Sequence, residues 1–289
     1  MTETLRRSDF RFFHRLRVRW AEVDMQKIVF NAHYLMYFDT AITDYWRAMA
    51  LPYEDAMLAL GGELFVRKAT VEFNASARVD DVLDAGMKCV RIGNSSIVFH
   101  GGLFRGDELL VTCELVYVHA DPATQTSRPV PQALRDILAG FEAGEDMRDV
   151  RTEDWDSLRE DAEKVRRDVF IDEQRIPEAL EWDAHDATAV HAIVRNRLGQ
   201  PIATGRLIAE APGLARIGRV AVRRALRGAG HGVAVLRALE EAASARGERE
   251  VTLSAQRSAE AFYARLGYRP HGDPFEEAGI VHIEMRRSL

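Results

Sequence analysis

The run NAHYLMYFDTAITDYWRAMA, residues 31–50, constrains the fold more than any other stretch of this chain. Apolar or aromatic residues recur at Tyr34, Leu35, Phe38, Ile42, Tyr45 and Met49, which is helical spacing. Phe30, Tyr37, Ala41 and Trp46 widen the apolar surface beyond one stripe, so the helix is expected to be enclosed on several sides. FFHRLRVRW before it alternates like a strand, and strand-like runs follow at 65–73, 82–92, 95–104 and 109–118. Short Gly or Asp/Asn breaks separate the last three, as in an antiparallel meander, and a short helix after RPVP closes the segment. The expectation is an α+β half in which an antiparallel sheet surrounds a long helix.

A chain of 289 residues exceeds the usual length of one domain. FEAGEDMRDVRTEDW, residues 141–155, loses apolar periodicity and is mostly charged, as a solvated boundary would be. The expected division is a domain at 1–143, a charged linker at 144–153 and a second domain at 154–289. The second half opens with a helical segment at 155–170. It continues with the strand candidates AVHAIVRN, PIATGRLIAE and ARIGRVAV, a glycine loop and helix, EVTLSAQ, the helix SAEAFYARLG and a final strand GIVHIEMRR. Strands alternating with helices call for an α/β domain with a mixed central sheet and helices on both faces.

The loop RGAGHG puts Gly228, Gly230 and Gly232 directly before a helix. It is neither G-x-G-x-x-G nor G-x-x-x-x-G-K-[ST], so the dinucleotide and nucleoside-triphosphate fingerprints both fail. Glycines allow close approach of a ligand, and the unpaired N–H groups and dipole of a helix N-terminus favour phosphate. A pyrophosphate cradle of Arg227, Gly228, Ala229, Gly230, His231 and Gly232 follows, with a plain glycine-rich turn as the alternative.

Composition narrows the partners. With 47% hydrophobic residues, 29% charged residues and a formal charge of -6, the chain reads as a globular protein without the basic footprint of a nucleic-acid binder. No stretch is apolar for long enough to cross a bilayer, and MTETLRRSDFRFFHRLRVRW lacks the apolar centre of a signal peptide, so a cytoplasmic location is expected. Cys89 and Cys113 lie in strand-like runs and read as reduced thiols. EWDAHD with His191 raises a metal reading, but no ligand spacing such as H-x-x-x-H accompanies it, so no metal is expected.

In RWAEVDMQKIVFNAHYLMYFD a strand ends, Asp24 follows, and the long helix starts about seven residues later. A carboxylate facing a helix N-terminus can act as base or nucleophile against a carbonyl carbon whose oxygen the first-turn amides polarise. A turn acid or a helix cap is the other reading. The segment 12–141 resembles hotdog-fold thioesterases of the 4-hydroxybenzoyl-CoA thioesterase type, through Asp-x-x-Gly-[Ile/Val/His]-Val-[Phe/Tyr/Asn] and through VEFNASARVDDVL, RIGNSSIVF and RPVPQALRDIL. The resemblance implies a catalytic carboxylate at Asp24, an oxyanion contact from the backbone N–H of Asn31, acyl-CoA as substrate and a homo-oligomer. Lys27 stands where the usual glycine would be, and His33 receives no role.

Residues 155–289 resemble the GNAT N-acetyltransferases, whose acetyl-CoA motif is R/Q-x-x-G-x-G/A between strand and helix. AFYARLGY matches the family's Tyr-x-x-x-Gly-aromatic helix end, and VFIDEQRIP and FEEAGIVHIEM look like a bacterial subgroup. The likeness implies that Tyr263 protonates the departing CoA thiolate and that Val220 and Val222 lie beside the pantetheine arm. Gln256 stands where many members have Asn. Acetyl transfer also needs a base for the amine, and Glu173, Glu181, Asp183 and His191 all qualify. The resulting expectation is a bifunctional enzyme using acyl-CoA, acetyl-CoA and an amine acceptor as substrates, with no tightly bound cofactor. The alternative is that one half is catalytic while the other binds CoA or holds subunits together.

Overall fold

The computed structural model describes residues 5–277 and 279–289, and the chain divides into two compact units, Met1–Met147 and Arg148–Leu289. The first unit runs β1 (Phe12–Arg17), α1 (Asn31–Ala48), α2 (Tyr53–Leu60), β2 (Glu63–Phe73), β3 (Val82–Ile92), β4 (Ser96–Arg105), β5 (Glu108–Ala120) and α3 (Gln132–Ala143). Its sheet is antiparallel throughout, in the order β1-β3-β4-β5-β2. The expected meander is β3 to β5, while β1 and β2 form the two edges.

Helix α1 buries Tyr34, Tyr37, Phe38, Ala41, Ile42, Tyr45 and Trp46. Tyr45 meets Phe12, Phe99 and Phe141 edge to face, so one ring joins β1, β4 and α3. Phe38 lies so close to β4 that a Cβ at Gly101 would come within 2.7 Å of its ring, which is why that strand position carries no side chain. The helix is not enclosed on several sides within this chain: Leu35 and Met36 are exposed, as is Phe30 ahead of it. A single sheet covers one face, and Tyr37, Ala41 and Trp46 broaden that face rather than building a second one.

The approach to α1 is held by Glu22, whose side chain is buried. Its carbonyl accepts the Phe30 N–H (2.9 Å) and a hydrogen bond from His33 Nδ1 (3.0 Å). Its carboxylate accepts from the Arg19 amide (2.8 Å), Arg19 Nε (2.6 Å) and the Tyr37 hydroxyl (2.7 Å). Burial alone would raise the Glu22 carboxyl, but these donors outweigh it and hold it below the usual glutamate range.

The second unit runs β6 (Arg148–Glu153), α4 (Trp155–Arg166), a π-helix (Arg167–Glu173), α5 (Glu178–Glu181), β7 (Val190–Asn196), β8 (Pro201–Ala211) and β9 (Leu214–Val222). It continues with α6 (His231–Ala245), β10 (Glu250–Gln256), α7 (Glu260–Arg265), β11 (Arg269–Glu277) and β12 (Ile280–Ser288). The strand order is β11-β12-β10-β9-β8-β7-β6, and only the β9–β10 pair is parallel. Ile193 packs on Leu158 and Ala162 of α4, whereas a Cβ at Gly205 would meet Val235 and Leu239 of α6. Gly205 pairs with Ala192, the neighbour of Ile193, so successive residues point to opposite faces and a helix covers each.

Two strands depart from the sequence expectation. Residues 148–153, expected as linker, form β6, which pairs antiparallel with β7 from Arg148↔Asn196 to Glu153↔His191. Every one of its side chains is partly or fully exposed, so an edge strand there can be mostly charged without apolar alternation. β11 is exposed along its whole length and contains Pro270, Gly272 and Pro274, which erase a strand's sequence pattern. Helix α4 also passes directly into the π-helix instead of ending near Phe170. Among the described residues no helix is long and apolar enough to cross a membrane. Both cysteines are free thiols, pushed up to about 12 by burial.

Gly101→Ala should force Phe38 and α1 away from the sheet, at a cost of roughly 1–3 kcal/mol, read in calorimetry as a lower melting temperature for one transition. Glu22→Gln should lose about 1.5–3 kcal/mol at pH 7. The folded-state value of Glu22 lies below its unfolded value, so the parent holds this stabilisation above the ordinary glutamate value of about 4.3 and loses it as pH falls through the lower folded value. Urea melts of parent and variant should therefore converge on acidification; a constant gap from pH 7 to pH 3 would contradict the assignment.

Candidate active sites

In the first unit Asp24 occupies a tight turn closed by the bridge Val23↔Val29. Its N–H donates to Ile28 O (2.9 Å), its carbonyl accepts from the Lys27 N–H (3.0 Å), and its Oδ1 accepts from the Gln26 amide (2.8 Å). The turn thus occupies one carboxylate oxygen and makes no use of Oδ2. Lys27 adopts φ 60°, the left-handed region that glycine enters most readily, and its side chain is exposed. The backbone therefore accounts for a glycine preference at this position.

Asn31 is the first residue of α1 and is exposed, and Phe30 before it supplies no side-chain cap. The first-turn amides of α1 are thus uncapped by any neighbouring side chain. Asp24 and Asn31 stand on the two arms of one loop, tied by the Val23–Val29 bridge and by the Phe30 N–H to Glu22 O bond. Burial raises the Tyr34 hydroxyl, and the charge of nearby Asp24 adds to the rise.

In the second unit β9 and β10 pair over only three residues, from Glu250↔Leu214 to Thr252↔Arg216. Beyond them β9 bulges: Thr204 faces Ala221 but Arg206 faces Gly218, with Arg219 left-handed at φ 53°. A cavity of about 600 Å³ opens here, lined by Gly218 to Val220 of β9, Ser254 and Gln256 of β10, and Tyr263 of α7. Tyr263 is only 9% exposed, and burial pushes its hydroxyl up to about 12, so it keeps its proton at neutral pH. Gln256 Nε2 donates to Gln174 Oε1 at 3.2 Å. The aromatic after Gly267 has a mechanical role: the Tyr268 hydroxyl donates to Glu240 of α6 at 2.7 Å and pins the end of α7.

The glycine loop joins β9 to α6 and is exposed from Arg227 to Gly230. Gly228 (φ 87°) and Gly230 (φ 83°) are left-handed, and Gly230 caps α6 without a side-chain bond. Gly232 has a different status. A Cβ there would touch Phe262 and Val222 at ordinary distances of 3.4 and 3.5 Å, so the fold itself does not exclude a side chain. These contacts also set the start of α6 beside Val222 and beside α7, whose next residue is Tyr263. Arg227 donates to Val222 O (3.0 Å) and pairs with both oxygens of Glu173 (2.7 and 2.6 Å).

The four sequence candidates for a base separate sharply. Glu173 is held by Arg227, which lowers its carboxyl. His191 is buried, with Nε2 bonded to Asp186 O at 2.9 Å, and it does not line the cavity. Asp183 lines the cavity but is gripped by Arg206 at 2.7 and 2.6 Å, which brings it down to about 2. Glu181 also lines it; burial raises its carboxyl, while Arg166 (2.6 Å) and Arg219 (3.3 Å) compete for its oxygens. The acids of EWDAHD are thus ion-pair partners, and among the described residues no group of three His, Cys, Asp or Glu is placed to hold a metal.

Sequence reasoning missed Glu22, Arg219 and His282. Glu22 looks like any loop acid until its burial is known, and a β-bulge at Arg219 leaves no pattern. His282 alternates regularly within β12, and only the pairing of that strand brings it to the cavity.

Residues 156–289 match the family described as acetyltransferase (GNAT) domain, and residues 26–112 match the thioesterase superfamily. The chain is 34% identical over 128 residues to the uncharacterized N-acetyltransferase YjcF of Bacillus subtilis, spanning 44% of this chain and 90% of that protein. It is 28% identical over 120 residues to the acyl-CoA thioester hydrolase YbgC of Escherichia coli, spanning 41% of this chain and 89% of that protein. Among solved structures, an acyl-CoA N-acyltransferase from Pseudomonas aeruginosa is 32% identical and covers 48% of this chain and 99% of its own, with a TM-score of 0.44. The chain is a fusion of two families, a hotdog domain of the thioesterase superfamily followed by a GNAT acetyltransferase domain.

Proposed function

We propose that the N-terminal domain hydrolyses acyl-CoA thioesters and that the C-terminal domain transfers the acetyl group of acetyl-CoA to an amine. The observation that carries the reading is the convergence in the second unit: an uncapped, glycine-opened helix abuts α7, whose buried Tyr263 shares a cavity with Val220. First-turn amides of α6 suit a pyrophosphate, with Gly232 leaving room for it. The edge of β9 around Val220 and Val222, freed where β10 parts from it, suits the amide groups of a pantetheine arm.

The Tyr263 hydroxyl, at about 12, lies well above an ordinary thiol at about 8.5, so full transfer of its proton to a free thiolate is uphill by about 5 kcal/mol. Its role in this reading is to hydrogen-bond the departing sulfur and relay a proton to it. In the first unit Asp24, on the same bridged loop as the start of α1, supplies the base or nucleophile through Oδ2, and the Asn31 amide stabilises the oxyanion. Both domains then draw on CoA thioesters, one delivering the acyl group to water and the other to nitrogen.

The first domain is also proposed to assemble as a homo-oligomer. Phe65, Val66 and Phe73 on edge strand β2 are exposed, as are Leu35 and Met36 on the outer face of α1 and Phe30 next to Asn31. A second copy would cover this surface and complete the enclosure of α1.

Thiol release from a panel of acyl-CoAs, with and without primary amines, tests both activities. Asp24→Asn should reduce amine-independent release by on the order of 100-fold or more and leave amine acetylation unchanged, while Tyr263→Phe should do the reverse. If both variants match the parent, the assignments fail. Gly232→Ala should melt like the parent but bind acetyl-CoA more weakly by calorimetric titration. Light scattering should find an oligomer; a dilute monomer with full thioesterase activity would overturn that part.

A further inference from the structure

The geometry points to His282 as the general base that deprotonates the amine in acetyl transfer. This rests on the acetyltransferase reading of the C-terminal domain and deepens it. In the antiparallel ladder His282 lies directly opposite Gln256, and Glu284 opposite Ser254. Directly opposed residues share a face of the sheet, and Ser254 and Gln256 line the cavity that also holds Tyr263. His282 lines that cavity as well and is half-buried.

The tautomer follows from one bond. Nδ1 lies 2.8 Å from the carbonyl oxygen of Ile280, which can only accept, so the proton sits on Nδ1 and Nε2 carries the free lone pair. The ring stacks on Phe275 of β11 at 5.9 Å and 23°, which limits its rotation. A base needs a cavity position, an available lone pair and a fixed orientation, and His282 has all three.

Three of the acids around the cavity are already committed to arginines. Glu181 and Asp183 are claimed by arginines, as described above. Glu284 pairs with Arg216 (3.2 Å) and Arg286 (2.8 Å). Glu277, across the hairpin on β11, also lines the cavity; its carboxylate attracts a cationic ammonium toward His282.

The step balances as follows. The acceptor ammonium gives one proton to Nε2, and the neutral nitrogen then forms a C–N bond to the thioester carbonyl carbon. As the tetrahedral intermediate collapses, the C–S bond breaks with its electron pair on sulfur. Tyr263 passes its hydroxyl proton to that sulfur and takes the second nitrogen proton, and His282 releases its proton to water. The products are the acetamide, CoA thiol and one proton.

His282→Asn keeps a side-chain donor for the Ile280 carbonyl while removing the basic nitrogen. With acetyl-CoA and a panel of lysine, putrescine and phenethylamine, kcat/KM for the best acceptor should fall on the order of 100-fold at pH 7, with acetyl-CoA affinity unchanged. The deficit should shrink as pH rises toward the amine's own pKa, because solvent then supplies the neutral amine. In His282→Ala, added imidazole should restore part of the rate, which keeps the test valid if the asparagine variant folds poorly. A variant with parental rates, or one with the same deficit at every pH and no imidazole rescue, overturns the assignment of His282 alone. A parent that acetylates no amine on the panel overturns the acetyltransferase reading and this assignment together.

Discussion

A guanidinium withdrawn almost completely from water has to be paired on every side, and the second domain is organised around one. Arg166 is 1% exposed, donates to Glu181 Oε1 (2.6 Å), Asp186 Oδ1 (2.7 Å) and the Glu181 carbonyl (2.8 Å), and lies 5.7 Å and 4.7 Å from the ring centres of Trp155 and Trp182. Two acids around one arginine would leave excess negative charge, and two further arginines offset it. Arg206 shares Asp186 (2.6 Å) and grips Asp183, and Arg219 reaches Glu181 and Asp183. Removing Arg166 would leave the buried Glu181 and Asp186 short of donors, which is far more costly than the pairs are stabilising. The cluster ties α4 to α5, β8 and β9, which wall the cavity, and it occupies the oxygens of Glu181 and Asp183 with arginine donors.

The first domain meets the same requirement on a smaller scale. Glu22 cannot be buried without donors, and those it finds, Arg19 and Tyr37, lie on the two segments that bracket the Asp24 turn. A single carboxylate thereby ties the segment before the turn to α1. Gly101 then sets how deeply α1 sits on its sheet. In both domains a buried charge ties together elements that are distant in sequence.

Much of the fold was legible because the signals were local. The spacing of α1, the breaks between β3, β4 and β5, and the glycine loop between β9 and α6 each lie within about twenty residues. The parts that were not legible depend on partners distant in sequence. β6 is a strand only because β7 offers a free edge, and β11 only because β12 turns back beside it. Likewise Asp24, Val220, the loop and Tyr263 could be picked out as candidates, yet the ranking of bases could not. Glu173, Glu181, Asp183 and His191 differ only in which arginine or carbonyl each one meets in space.

The sequence by itself determined the class of each domain and the residue types at each candidate site, because periodicity, turn chemistry and helix starts are set by neighbours along the chain. Only the tertiary structure decided which titratable groups are available. Charge pairing and burial act across β-ladders and between helices, so Asp183 lost its basicity to Arg206, some twenty residues away. His282 gained its position from Gln256, its partner across the ladder. A pairing of that kind depends on register, and register is settled only when the strands meet.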